Sequence, residues 1–557
     1  MGRQLRTMPK MMRWLLMFFA AVAAAQTPDA VYLNGKIITV DPRFSIAEAF
    51  AITRGRFTAV GTSSSIQKLA RPSTRVIDLR GKTVIPGFED SHLHSAGGGP
   101  GVDLSNARSF ADIFTAIHER VKNSKPGDVI VSNSDWHEGQ LKEQRLPLRR
   151  DLDPVSPANP VVLVRGGHEY ILNSVALAKW HIEKATVSPD GGQISRDTDG
   201  EPNGELIDRA RTLVSLPQTR LTLDQQIDSW TQQFQKLHAA GLTSIRQPGI
   251  SLEQYHMFQE MKRRGLLTMR VTALLSAPPN PDAAKVRAFI ENSGVRSDEG
   301  DEWLKIAGMK LIVDGGFEGG RMRDPYEEPY GKDGTFRGLQ LMPQDRYTEI
   351  VKELNRLGWR VGTHAVGDAA IDEVLAGYEA ANHEKPIAGR RWAIEHGFLP
   401  REEHFERINA LGVFVTVQDH LYLAGPSLVH YWGAARAARV TPVRAYLDHG
   451  VEVAAGTDAP VVPYPPLWTL YHFVTRETIS GGLLGSDQRI TRQEALRIST
   501  MGNARLTFEE RIKGSIEPGK LADFVVLDED IMTVDPKHIE QMKVLMTVVG
   551  GKPVFSR

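Results

Sequence analysis

From Ala30 to about Gly81, apolar and polar positions alternate in short runs broken at Asn34-Gly35, Arg54-Gly55 and Arg80-Gly81, which predicts brief strands joined by tight turns. The far C-terminus repeats the pattern in ADFVVLDED and in VLMTVVGGKPVF around Gly550-Gly551. Each stretch is too short to hold a stable sheet alone, so the two chain ends are expected to pair into one composite β-sandwich domain. Between them the pattern changes to continuous apolar runs: TVIPGF, GLTSIRQ, MRVTALL, GMKLIVD, RVGTHAV, RWAIEHG, VFVTVQ and VEVAAGTD. Unbroken runs fit strands covered on both faces, as in a parallel sheet. Helical spacing falls between them, with Ile371, Val374, Leu375 and Tyr378 after an N-cap at Asp368, and with Phe405, Ile408 and Leu411. The reading is an α/β chain with a (β/α)₈ barrel, a doubly wound sheet being the alternative. About 140 residues separate His94 from GLTSIRQ, too many for one crossover, and they hold strand-like runs of their own such as VIVSNS and PVVLVRGG. They predict a subdomain inserted over the barrel mouth. The boundaries are then 26–85 and 505–557 for the composite domain and 86–504 for the barrel, with the insertion at about 100–240.

Charge and composition narrow the function. Lys and Arg number 67, as do Asp and Glu, which gives no electrostatic footing for nucleic acid. Residues 1–25 stand apart: Arg3, Arg6, Lys10 and Arg13 precede WLLMFFAAVAAA, and small residues follow, as in a secretory signal that is removed. The apolar run is shorter than the ~20 residues a membrane span needs, so a processed, exported protein without a stable membrane anchor is expected, periplasmic or extracellular. A homo-oligomer is left open. The chain has no cysteine, so a metal would rest on His, Asp, Glu or a modified side chain.

The stretch PGFEDSHLHS places His92 and His94 at i and i+2, on one face if the strand stays extended. Lys310, His364, His396 and Asp458 fall at the C-terminal ends of later predicted strands, and in a barrel those ends converge on one mouth. Each alone has an ordinary reading: a satisfied core histidine, a capping aspartate, or Lys310 paired with Asp314. Together, in this order on successive strands, they favour a metal site. Nitrogen and oxygen ligands suit zinc, with manganese, iron and nickel as alternatives.

With these motifs, and with THAVGDAAID, AIEHG, GTDAP, SPANPVVLVRGGHEYILNSVAL and GSIEPGKLADFVVLDED, the chain resembles the amidohydrolase superfamily, in the branch that includes N-substituted formamide deformylases. The resemblance implies two divalent ions, bound by His92 and His94 and by His364 and His396. It implies that Lys310 is carboxylated and bridges them, and that Asp458 is both ligand and proton shuttle. It makes His420 a catalytic residue acting on the substrate carbonyl, and Trp136, His137, Arg165, His168 and Asn173 substrate-binding candidates in the pocket roof. The implied activity is metal-dependent hydrolysis of a non-peptide C–N bond in a small-molecule amide, carbamate or N-acyl compound. A deaminase on the same scaffold and a non-catalytic binding protein are the rivals.

Overall fold

The computed structural model describes residues 27–217, 220–327 and 334–557. The export signal read in residues 1–25 lies outside the described residues. Among the described residues no helix is long and apolar enough to cross a membrane.

Eight parallel strands stand side by side in chain order: β1 (Phe88–Asp90), β2 (Leu242–Ile250), β3 (Arg270–Ser276), β4 (Leu304–Ile312), β5 (Val361–Ala365), β6 (Ala393–His396), β7 (Phe414–Gln418) and β8 (Val453–Gly456). The sheet curls into a nearly closed barrel. Its last seam is held by single backbone bonds, Ser91 N to Ala455 O at 3.0 Å and Asp458 N to His92 O at 2.6 Å, rather than by a ladder. Every residue of β5 to β8 is buried, which is why these strands read as unbroken apolar runs. The helices outside bury the predicted stripes, including Ile371, Val374, Leu375 and Tyr378. Asp368 is the first helical residue rather than the cap, which is Gly367; its carboxylate is occupied by the backbone N–H groups of Ala369 and Arg323.

The run TVIPGF is not one barrel strand. Thr83–Pro86 pairs with Phe524–Leu527 in the composite domain, and only Phe88–Asp90 enters the barrel. Both halves are buried, so apolarity alone does not mark the change of sheet. The switch falls at Gly87, where a Cβ would lie 2.2 Å from Thr243 Oγ1.

The composite domain joins the chain ends as expected. Its six-stranded sheet sets Lys552–Ser556, Val544–Val549 and Phe524–Leu527 side by side and joins them to three strands of the N-terminal part where Phe524–Leu527 pairs with Thr83–Pro86. Phe524 packs edge-on against Tyr32 and Phe50 at 5.1 and 5.0 Å between ring centroids. Between β1 and β2 the inserted subdomain forms a five-stranded sheet with its own core around Ile113, Ile117, Trp136 and Leu163. Its hairpin, Val161–Arg165 with Glu169–Leu172, brings His168 to 5.4 Å from the His364 ring at the barrel mouth.

Candidate metal centre

β1 stops at Asp90 because its carboxylate takes up the turn that follows. It accepts hydrogen bonds from His92 N at 2.9 Å, Thr457 N at 3.1 Å and Thr457 Oγ1 at 2.7 Å. His92 and His94 therefore lie on a bent segment beyond the strand, not at i and i+2 of an extended one. They converge all the same: their Nε2 atoms lie 3.3 and 3.2 Å from Asp458 Oδ1. Ligand atoms of the three residues lie within 4.8 Å of one another. Asp458 and His396 both have left-handed backbone, φ 62° and 76°, a strained state for residues other than glycine and one that gathers at functional sites.

The protonation pattern shows what this set can hold. His92 Nδ1 donates to Glu395 Oε2 at 2.8 Å, and Arg246 forks onto Glu395 at 3.0 and 2.6 Å. Burial pushes the His92 imidazole down to about 4, so it is neutral and presents the Nε2 lone pair to Asp458. Burial opposes ionisation of Asp458, but its histidine neighbours, among them the hydrogen bonds from His420 and His94, outweigh it and hold its carboxyl well below the usual range. A lone pair and a carboxylate oxygen thus face each other at 3.3 Å, an arrangement that a bound cation resolves. The donor set fits a divalent ion.

His364 and His396 stand next to this group, with ring centroids 4.6 Å apart and His396 at 4.7 Å from His92. His396 Nδ1 donates to Gln418 Oε1 at 2.8 Å, and His364 Nε2 donates to Gly315 O at 3.0 Å, so each ring keeps one nitrogen free as an acceptor. Burial lowers both imidazoles well below the usual range. Lys310, on β4, borders the same cavity, and burial brings its ammonium down to about 8. The alternative pairing with Asp314 does not form. That carboxylate accepts from Arg321 N and Gly367 N, both at 2.9 Å, and from Val366 N at 3.1 Å, and it makes no ion pair with Lys310. Sequence reasoning passed over Glu395, Gln418 and Arg246. Glu395 precedes His396 and Gln418 ends VFVTVQ, so a buried polar residue within an apolar run was the available signal.

His420 opens the helix Leu421–Trp432 and holds Asp458 Oδ2 through Nε2 at 3.1 Å. The main cavity, about 680 Å³, is bordered by His92, His94, Lys310, His364, His396 and Asp458 from the barrel and by His168 from the insertion. His168 is braced by Asp208, Nδ1 to Oδ1 at 2.6 Å. Arg165 borders a smaller inner chamber and is fully engaged with Glu138, Glu169 and Glu318. Of the five expected roof residues His168 alone lines the main cavity; Arg165, Trp136, His137 and Asn173 do not. Trp136 donates Nε1–H to Val164 O at 2.7 Å, and His137 accepts from Gly139 N at 3.0 Å. Asn173 caps the helix Ser174–Lys179 and ties Val161, Ser156 and Asn159 together, so its hydrogen-bonding groups are spent inside the insertion.

The Amidohydrolase family profile matches residues 75–555. Over 554 residues the chain is 28% identical to the N-substituted formamide deformylase of Arthrobacter pascens, spanning 96% of this chain and 99% of that protein. It is also 28% identical over 549 residues to the protein LONG AFTER FAR-RED 3 of Arabidopsis thaliana, spanning 95% and 91% of the two chains. Among solved structures, an uncharacterized metal-dependent hydrolase from Pyrococcus horikoshii OT3 superposes with a TM-score of 0.67 at 25% identity, covering 91% of this chain and 99% of that one.

Proposed function

The chain belongs to the amidohydrolase family, and from that premise we propose that it hydrolyses the C–N bond of an N-acylated amine, with a divalent metal held by His92, His94 and Asp458. The observation that carries this reading is the convergence of these three ligand-type side chains on one point, within 4.8 Å of one another. The similarity to a formamide deformylase supports an amide substrate. Zinc suits the donors; a second ion on His364 and His396, with Lys310 carboxylated between them, belongs to the same proposal. A bound ion of this kind acidifies water towards ~7 and polarises a carbonyl oxygen.

The protein's own groups do the rest. Asp458, kept ionised by its histidine neighbours, accepts the proton of the attacking water and passes it to the departing nitrogen. His420 fixes the Asp458 carboxylate through Oδ2, which leaves Oδ1 towards His92 and His94. The main cavity shelters the substrate beside these groups. We place the working enzyme outside the cytoplasm, after removal of residues 1–25, as a further part of the proposal.

The test is metal analysis of the purified chain, followed by amide, ester and deamination assays on one sample before and after dialysis against a strong chelator. Amide hydrolysis that is lost on chelation and regained with zinc is expected. Full activity in metal-free protein, or deamination without amide hydrolysis, would overturn the reading.

A further inference from the structure

Arg209 and Arg211 border the main cavity from the inserted subdomain, on the short turn Arg209–Leu213 that follows the strand Pro202–Asp208. Backbone carbonyls hold their guanidinium groups. Arg209 Nη2 donates to Leu341 O at 2.5 Å, on the connection after β4, and Nη1 donates to Asp190 O at 3.5 Å. Arg211 Nε donates to Asp208 O at 3.2 Å, and its guanidinium lies over the Tyr170 ring, 5.2 Å from the centroid. Asp208, the acid next to them in the chain, gives its Oδ1 to His168 at 2.6 Å, and neither arginine makes an ion pair among the described residues.

The buried arginines of the barrel behave differently. Arg246 meets Glu395, Arg270 meets Asp523 and Arg360 meets Asp298. A carbonyl fixes the direction of a guanidinium but leaves its charge uncompensated, and the planar fork keeps further N–H groups for an oxyanion. The placement is built into the backbone. Asp208 has φ 48°, a strained value for a residue other than glycine, and from that position it sends its side chain to His168 and its carbonyl to Arg211. The His168 ring is in turn 5.4 Å from His364 at the metal centre. Much of the remaining wall is apolar, with Pro248, Ala277, Pro278, Pro281, Ile312 and Met342, and among the described residues Asp208 and Asp458 are the only acids on the lining. An apolar wall, ligand-type side chains and two uncompensated arginines on one cavity suit an amphipathic molecule with a negative charge.

We propose that Arg209 and Arg211 are specificity residues that select substrates bearing a carboxylate or another oxyanionic group on an apolar body, the anion docking on their guanidinium groups while the scissile bond lies at Asp458. This rests on the amide-hydrolysing function above and adds a charge requirement to it. A cavity of about 680 Å³ has room for a body that reaches both ends.

The experiment measures kcat/KM of the zinc-loaded full chain on matched amides. N-acetyl-4-(aminomethyl)benzoate and its phosphonate analogue are compared with the neutral N-acetyl-4-methylbenzylamine, and N-benzylsuccinamate is compared with N-benzylbutyramide, which moves the charge to the other side of the bond. The anionic member of at least one pair should exceed its neutral partner by about tenfold or more, the factor that a hydrogen bond to a charged group is worth. Arg209→Gln and Arg211→Gln should each lower the anionic-to-neutral ratio by about tenfold, with a higher KM for the anionic compound and metal content per chain unchanged. A merely structural arginine would lower both members together, and either variant decides the point if the other fails to fold. Titration calorimetry on the zinc-loaded Asp458→Asn protein reads the same selectivity as binding constants, with turnover removed. Equal kcat/KM within every pair, or a ratio unmoved in both folded variants, as when the anion sits on the metal instead, would overturn the arginine pair while leaving amide hydrolysis intact. Hydrolysis of no amide would remove the functional reading, and equal binding of charged and neutral compounds to Asp458→Asn would then remove this inference as well.

Discussion

Around Asp458 the site gathers metal-ligand side chains on an open cavity, whereas around Arg165 three carboxylates share one guanidinium. Both groups border the inner chamber and both are buried. In the first, the neutral His92 ring and the ionised Asp458 face each other at 3.3 Å. In the second, Arg165 forks onto Glu138 with both bonds at 2.8 Å and touches Glu169 and Glu318 at 3.1 and 2.5 Å. Burial opposes the Glu138 charge, but Arg165 outweighs it and holds that carboxyl below its usual range. Burial lifts Glu169 and Glu318 above theirs. One cation thus balances one full anion, and the Arg165 cluster is complete as folded. The Asp458 cluster instead brings ligand-type atoms within 4.8 Å of one another at the cavity wall, a donor set that fits a divalent ion. A buried charged group is therefore a sign of architecture when its partners are spent on one another, and a candidate for function when ligand-type side chains converge on an open cavity.

The largest expected effect is at Asp458. Asp458→Asn keeps a neutral oxygen in place but cannot accept a proton, so turnover should fall by ~10²–10⁴-fold. Metal per chain must be measured on the same sample, because Oδ1 also faces His92 and His94. A loss under about tenfold at full metal content would remove Asp458 as the base and break the contrast at its stronger end.

What the sequence disclosed follows the same division. The barrel was legible because its strands are covered on both faces and so appear as apolar runs, with ligand-type residues standing out at their ends. His364, His396 and Asp458 needed only that position to be found. Asp90 hid the break that ends β1, since an aspartate bonding its own backbone looks no different in sequence from one in a strand. Arg246, Glu395 and Gln418 were not legible, because their partners come from other strands, up to 303 residues away in the Glu395 to His92 bond. The roof was the least legible part. Arg165, His168 and Asn173 lie within nine residues of one another, yet one balances buried acids, one borders the cavity and one caps a helix. Pairing across the inserted sheet decides among these roles, and spacing along the chain does not.

Arg165→Met sharpens the other side of the comparison. It removes the cation and leaves Glu138 buried without its partner, which should cost about 3–5 kcal/mol in urea unfolding. Adding Glu138→Gln to that variant should recover much of the loss, because the stranded charge then disappears. Metal content per folded chain should stay at the wild-type value in both. A cost below about 1 kcal/mol, or loss of metal from folded protein, would mean that the Arg165 cluster belongs to the site rather than to the architecture.

The smallest effect isolates the proton balance of that cluster. His137 lies beside Glu138, with Nδ1 3.4 Å from Oε2, and burial pushes its imidazole down to about 3 even though Glu138 opposes the shift. In the unfolded chain it titrates near the ordinary value of 6.5. Below that pH the unfolded state binds the extra proton and the folded state does not. Stability from this group is therefore full above about pH 6.5 and declines as pH falls towards 3, by about 2 kcal/mol at pH 5. His137→Asn should abolish this dependence without removing the local structure, because Asn Oδ1 can replace Nδ1 as acceptor for Gly139 N–H in the short turn at Glu138–Gln140. Urea unfolding of both proteins at pH 7 and pH 5 measures the difference. The variant should lose about 2 kcal/mol less than the wild type between the two values. Parallel losses would show that the folded protein accepts a proton at His137, so that the cluster is not closed to further charge and differs less from the Asp458 side than its geometry implies.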